Sequence, residues 1–376
     1  MKRRQFIQYA GVAGTVLACP GALARVVQSV GAGTRRGPWI DAQGVIDGFD
    51  PPTSERYIPN QRLVAALTER RLDALSITIG TVGNGPDRFR LAMDDLARID
   101  RLVADHPSLL ARIERPGDIS AARSADRLGL IYNFQDTSPL EGDVERVASF
   151  AARGVRIMQL TYNRRNLAGD GCLEAANGGL TDFGRDAIAA MADAHVLLDL
   201  SHAGPRTIAE GIAASRRPMA ITHSACRDLV DLPRNTRDTE MRALADKGGV
   251  FGVFLMPFLR YRGQPGPDDL FHHLDHAVDI CGEDHVAIGT DNPLLGYEVD
   301  EEARRQHREN YEARVRQGIA APGEQPDVLL YVDGYNGADR FERIAADLSR
   351  RGWASTRIDK IMGGNFARLL SEVWPA

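Results

Sequence analysis

Short β-branched runs ending in a polar residue alternate along the chain with helical stretches rich in Ala, Arg, Glu and Leu. Eight such runs read as strands, at 44–47, 74–80, 128–135, 155–160, 196–201, 219–222, 250–254 and 286–290. Strands and helices alternating in this way predict an α/β fold, a parallel (β/α)8 barrel with insertions. A doubly wound open sheet is the competing arrangement, disfavoured because no G-x-G-x-x-G turn follows the first strand. The stretch 292–328 has no strand signal; a charged helix over Glu301–Arg316 is followed by a Pro/Gly-rich segment. An insertion after the eighth strand is a candidate lid over the barrel mouth. No internal repeat or low-complexity tract interrupts the alternation.

The first 24 residues follow a different pattern. Lys2, Arg3 and Arg4 precede Phe6 and Ile7, and a weakly apolar run leads to Ala22-Leu23-Ala24. Paired arginines, a mild hydrophobic stretch and an A-x-A site read as a bacterial twin-arginine export signal. The expected organisation is therefore a signal over 1–24 and one barrel domain over 25–376. The expected localisation is the periplasm, reached in the folded state through the twin-arginine translocation machinery. A lipid anchor at Cys19, within Val16-Leu17-Ala18-Cys19, is the weaker alternative.

Composition removes several classes. The 376 residues carry 46 Lys+Arg against 51 Asp+Glu, interspersed, so there is no basic footprint for nucleic acid. No apolar run reaches the roughly 20 residues that a membrane span needs. Four scattered cysteines (Cys19, Cys172, Cys226 and Cys281) form neither a CxxC zinc site nor a disulfide framework. Pairing of Cys172 with Cys226 in an oxidising compartment stays open.

In such a barrel chemistry collects at the C-terminal ends of the strands. Read in order, those ends offer Asp47 or Asp50, Gln135, Tyr162, His202, His223 and Asp291. His202 and His223 each end an apolar run on neighbouring strands five and six, so both can point at one metal ion. Asp291 ends the eighth run and faces them as ligand or proton carrier. The other histidines, His106, His195, His272, His273, His276, His285 and His307, read as structural or exposed.

These residues sit in segments that resemble the renal-type membrane dipeptidases, zinc peptidases with a TIM-like barrel. The matching runs are GVRIMQLTYN at 154–163, GLTDFG at 179–184, LDLSH at 198–202, THSACR at 222–227, PRN at 233–235, HVAIGTD at 285–291 and GGNFAR at 363–368. They cover nearly the whole chain after the signal, in the family's order. The resemblance implies an amidohydrolase-like metallopeptidase acting on dipeptides. In that family a His-x-Asp pair after the first strand and a bridging Glu on the third hold one zinc, and two histidines hold a second.

Here the first-strand run DGFDP at 47–51 places Phe49 and Pro51 at the His and Asp positions, and neither ligates zinc. Asp50 is one residue out of register, on the other face of a strand. Gln135 takes the bridging position, as a neutral and poorer ligand. His202 and His223 keep the second pair, Tyr162 stands at the family's active-site histidine, Arg234 matches the arginine that grips the substrate carboxylate, and Asp291 the acid/base. The expectation is one zinc ion on His202, His223 and, weakly, Gln135, with Asp291 and Tyr162 catalytic. Arg234 and Tyr162 would bind a small peptide-like substrate. Without the resemblance, Arg234 would read as a loop ion pair with Asp228, Asp231 or Asp238.

Two classes remain. One is a periplasmic one-metal hydrolase of dipeptides or similar amides. The other is an inactive binding or accessory protein, for example in maturation of a peptide-derived metabolite. Either leaves room for a homodimer.

Overall fold

Eight parallel strands run in chain order around a barrel: β1 Ile40–Gly44, β2 Ala74–Thr78, β3 Leu128–Phe134, β4 Val155–Gln159, β5 Leu197–Asp199, β6 Ala220–Ser224, β7 Val250–Val253 and β8 Val286–Ile288. The structure is a computed structural model and describes residues 37–50, 58–69 and 72–375. Residues 1–24, where an export signal is expected, lie outside the described residues, Cys19 among them, as does Pro51. A short strand Leu110–Arg112 pairs with the start of β3, and a two-stranded hairpin joins Phe49–Asp50 to Ile58–Pro59.

Alternation explains the layers. In β2 and β3, Ala74 and Ile131 point into the barrel, while Leu75, Ile77, Leu130, Tyr132 and Phe134 face the surrounding helices. The lower barrel is filled by Ile40, Ile157, Leu197, Val250 and neighbours, and closed by Phe366, Leu369 and Leu370 of the helix Asn365–Val373. A barrel packed below in this way leaves only its upper rim for chemistry.

The eight-strand reading holds, with one displacement. The first strand is Ile40–Gly44, not 44–47. Asp41 masks it in the hydrophobic pattern, being a buried carboxylate within the strand. That carboxylate receives the Thr290 backbone N–H at 2.8 Å and the Thr290 hydroxyl at 2.6 Å, fastening the end of β8 to β1. Closure continues from Asp291 N–H to the Gln43 carbonyl at 2.8 Å and from Val45 N–H to the Asn292 carbonyl at 3.0 Å.

Two glycines narrow the barrel beside the rim. A Cβ at Gly252 would stand 1.9 Å from the Thr222 carbonyl oxygen, and one at Gly289 2.1 Å from it. Only glycine lets β7 and β8 approach that peptide, which directly precedes His223. The insertion carries the expected helix at Glu301–Arg316, capped at its start by the Asp300 side chain on the Ala303 N–H.

Candidate functional site

His202, three residues beyond β5, and His223, near the end of β6, are brought together. His202 Nε2 and His223 Nε2 face each other at 3.1 Å. The opposite ring nitrogens are occupied. His202 Nδ1 donates to Asn163 Oδ1 at 2.6 Å. His223 Nδ1 lies 2.7 Å from the Thr222 hydroxyl, whose single proton goes to Asp199 Oδ2 at 2.6 Å. That hydroxyl therefore accepts from His223, and both rings carry their proton on Nδ1. Asp199, at the end of β5, also takes the Ser201 N–H and hydroxyl. Burial, reinforced by the Arg234 charge, holds both imidazoles well below their ordinary pKa, so both are neutral at pH 7.

His202 sits in the left-handed region, φ 61°, as does Asp291 at φ 57°. A non-glycine residue there costs of order 1–3 kcal/mol, and such strain concentrates at functional rims. Tyr162, three residues beyond β4, stacks on the His202 ring with centroids 4.2 Å apart. Burial raises its phenol pKa, keeping it a hydrogen-bond donor at neutral pH. Asp291 is raised to about 6 by burial, although the Arg234 and Arg314 charges pull the other way. Arg234 is buried, donates through Nη2 to the His223 carbonyl at 2.9 Å and lies over the Phe254 ring. Its Nη1 is buried without a hydrogen-bond partner among the described residues. Two of the three acids near it in sequence are engaged elsewhere, Asp231 with Arg227 and Asp238 with His276.

The β1–β3 side of the rim is different. Relative to β2, one extra residue lies between Asp41 and Gly44 of β1, a bulge that re-aims the strand. Gln43 then bonds across the barrel interior: its Nε2 donates to Thr78 Oγ1 at 3.0 Å and its Oε1 accepts from Asn133 Nδ2 at 2.9 Å. Asn133 Nδ2 also donates to Ser76 Oγ at 2.8 Å. Phe49 is not on this rim as expected. It belongs to the separate hairpin and packs against His106, 6.0 Å between ring centroids. With the strand at 40–44, the rim positions spaced like His-x-Asp are Gln43 and Val45. Gln135 follows β3 directly, half-buried, and its carbonyl accepts from Gln159 Nε2 at 2.6 Å.

The donors fit a metal ion on one side only. Two ring nitrogens about 2.0–2.1 Å from a tetrahedral ion stand roughly 3.3 Å apart, close to the spacing seen, and the Asn163 amide oxygen and Thr222 hydroxyl hold the far side of each ring as ligands require. Among the described residues no third His, Cys, Asp or Glu joins them in a metal-holding group. An ion there would take two protein nitrogens and fill its other positions with neutral oxygens or solvent.

Sequence reasoning missed Gln43, Asn133, Asn163, Asp199 and Arg314. Asn163 and Asp199 lay inside the matching runs GVRIMQLTYN and LDLSH, the one signal that was available. Several remaining histidines are structural, as expected: His273 accepts from the Cys226 N–H, and His195, His285 and His307 bond backbone carbonyls. Cys172 and Cys226 are not joined. Cys172 Sγ bonds Asn163 Oδ1, and Cys226 Sγ bonds the His273 carbonyl.

Comparison with known proteins agrees with this architecture. The family model for membrane dipeptidase (peptidase family M19) matches residues 61–300. A Klebsiella pneumoniae protein described as uncharacterized, in the pqqA 5' region, is 27% identical over 299 residues, covering 77% of this chain and 98% of its own. Dipeptidase 3 of Rattus norvegicus is 24% identical over 76% of this chain, which spans only 53% of the rat protein. A crystal structure of an amidohydrolase from Pseudomonas aeruginosa superposes with a TM-score of 0.76 at 29% identity, covering 90% of this chain and 97% of that one.

Proposed function

The chain belongs to the membrane dipeptidase family, peptidase family M19, and from that premise we propose that it hydrolyses dipeptides or similar small amides in the periplasm with a single zinc ion. The observation that carries this reading is the pair of bare Nε2 atoms facing each other at 3.1 Å, each ring pinned through Nδ1. When bound, the ion supplies a Lewis acid that polarises the substrate carbonyl and acidifies water.

The protein's own residues do the rest. Asp291, with a pKa of about 6, is ionised at neutral pH yet basic enough to take a proton from water and return it to the leaving amine. Tyr162 keeps its phenolic proton and donates it as a hydrogen bond to the developing oxyanion. Arg234 offers its unpartnered Nη1 to the substrate carboxylate, a charge-assisted bond made in a dry setting. Gln135 is at most a weak oxygen ligand, since it carries no charge. The twin-arginine run and the Ala22-Leu23-Ala24 site support export.

The Gln43–Asn133 amide network favours a second reading, a barrel that binds peptide-like molecules without cleaving them. Metal analysis of protein purified without an affinity metal, followed by hydrolysis assays on a dipeptide panel, separates the two. One equivalent of zinc with zinc-dependent turnover supports the hydrolase; binding without turnover supports the second reading. Protein that takes up no zinc overturns the metal site. For export, changing Arg3 and Arg4 to lysine should retain the precursor in the cytoplasm; a mature periplasmic form would refute that route.

A further inference from the structure

The insertion after β8 is hydrogen-bonded to the same short segment that supports His202. Asn163 Nδ2 donates to the Ile319 carbonyl at 3.3 Å, while its Oδ1 takes the His202 Nδ1 proton at 2.6 Å. Next to it, Arg164 donates through Nε to the Gly318 carbonyl at 2.8 Å. Arg314, in the last turn of the helix Glu301–Arg316, grips both oxygens of Glu324 at 2.9 Å and reaches the Ile319 carbonyl at 3.3 Å. Arg314 is also within hydrogen-bonding reach of the Tyr162 phenol.

A carbonyl only accepts, so the Ile319 carbonyl on Nδ2, with the Cys172 thiol on Oδ1, sets which way the Asn163 amide faces. With the NH2 group turned to Ile319, only the amide oxygen is left for His202. The ring must then protonate on Nδ1, which leaves the Nε2 lone pair toward His223. We propose that segment 314–319 of the insertion is a positioning element of the site, fixing the tautomer of His202 through Asn163. The inference deepens the metal-site reading and rests on His202 being a ligand. It assigns the insertion a role in preparing that ligand.

The test uses protein of residues 25–376, with 15N-labelled histidine. Long-range 1H–15N spectra of the zinc-free protein report which ring nitrogen carries the proton, and His202→Gln identifies the signal. The parent should show His202 protonated on Nδ1. Asn163→Ala should shift His202 toward the other tautomer and weaken zinc affinity about 10–100-fold in competition with a chromophoric chelator. Asn163→Asp still accepts from His202 but sets an acceptor against the Ile319 carbonyl. It should keep the tautomer while limited proteolysis within 317–325 speeds up. Arg314→Gln removes the Glu324 clamp without touching Asn163, and should weaken both the Nδ1 signal and zinc affinity in protein whose circular dichroism is unchanged. His202 protonated on Nδ1 in Asn163→Ala, with parental zinc affinity, would overturn the proposal. So would an Arg314→Gln variant equal to the parent in both measurements. A parent with the Nδ1 tautomer that binds no zinc would instead sink the metal-site reading and leave the positioning role standing.

Discussion

The two sides of the barrel rim hold similar polar side chains in opposite states. At β5–β6, His202 and His223 turn bare nitrogens toward each other, with each Nδ1 already committed to Asn163 or Thr222. At β1–β3, Gln43, Asn133, Ser76 and Thr78 satisfy one another. A neutral amide network closes on itself because each amide both donates and accepts. Two imidazoles locked in the same tautomer cannot, and two lone pairs facing at 3.1 Å call for a cation or proton between them. The open side is therefore ready for a ligand from solution, and the closed side is complete as it stands.

The largest effect should follow from breaking the open side. His202→Ala or His223→Ala each leaves a single protein nitrogen and should abolish zinc uptake, measured by elemental analysis. Full occupancy in both variants would end the assignment. Asp291→Asn should keep the metal and lower turnover by about 10²–10⁴-fold, since it deletes a proton acceptor. In the parent, the Asp291 value of about 6 sets the pH response. kcat/KM should fall about tenfold per pH unit below 6 and level off above it, a profile absent from Asp291→Asn.

Opening the closed side is the next smaller effect. Gln43→His, Val45→Asp and Gln135→Glu together would put ligand side chains on the rim of β1 and β3, with the negative charge a second zinc needs. That variant should bind a second equivalent of zinc. If it folds but never exceeds the parent's metal count, these positions are not the counterparts of the histidine pair.

The smallest effect concerns the seam between the two sides. Burial raises the Asp41 pKa from 3.8 to about 7, against the Thr290 bonds and the Arg340 charge. The folded state thus holds a proton that the unfolded chain has released. The associated stability is full below about pH 4 and is lost as pH rises toward 7. The Tm advantage of the parent over Asp41→Asn should accordingly be greatest near pH 4 and shrink by a few degrees toward pH 7. A constant difference across that range would show that Asp41 stays ionised.

Much of this rim was legible in the chain. His202, His223 and Asp291 each terminate a run of residues that only a buried strand would hold, so strand periodicity alone placed them at the mouth. The helix Glu301–Arg316 was equally plain, being charged throughout and following an acidic start. β1 was not legible at its true position, because Asp41 within it looks like a turn residue until Thr290, 249 residues away, supplies its bonds.

What the sequence by itself determined is the repeating strand–helix order, and with it which residues end strands, because periodicity of two and of 3.6 is a local property. What the tertiary structure decided is how those ends are used. The bulge that turns Gln43 inward, the glycine approach at Thr222 and the Ile319 carbonyl that orients Asn163 each depend on a partner far along the chain. A hydrogen-bond partner 156 residues away leaves no periodic trace in the sequence, yet it decides which nitrogen of His202 is bare.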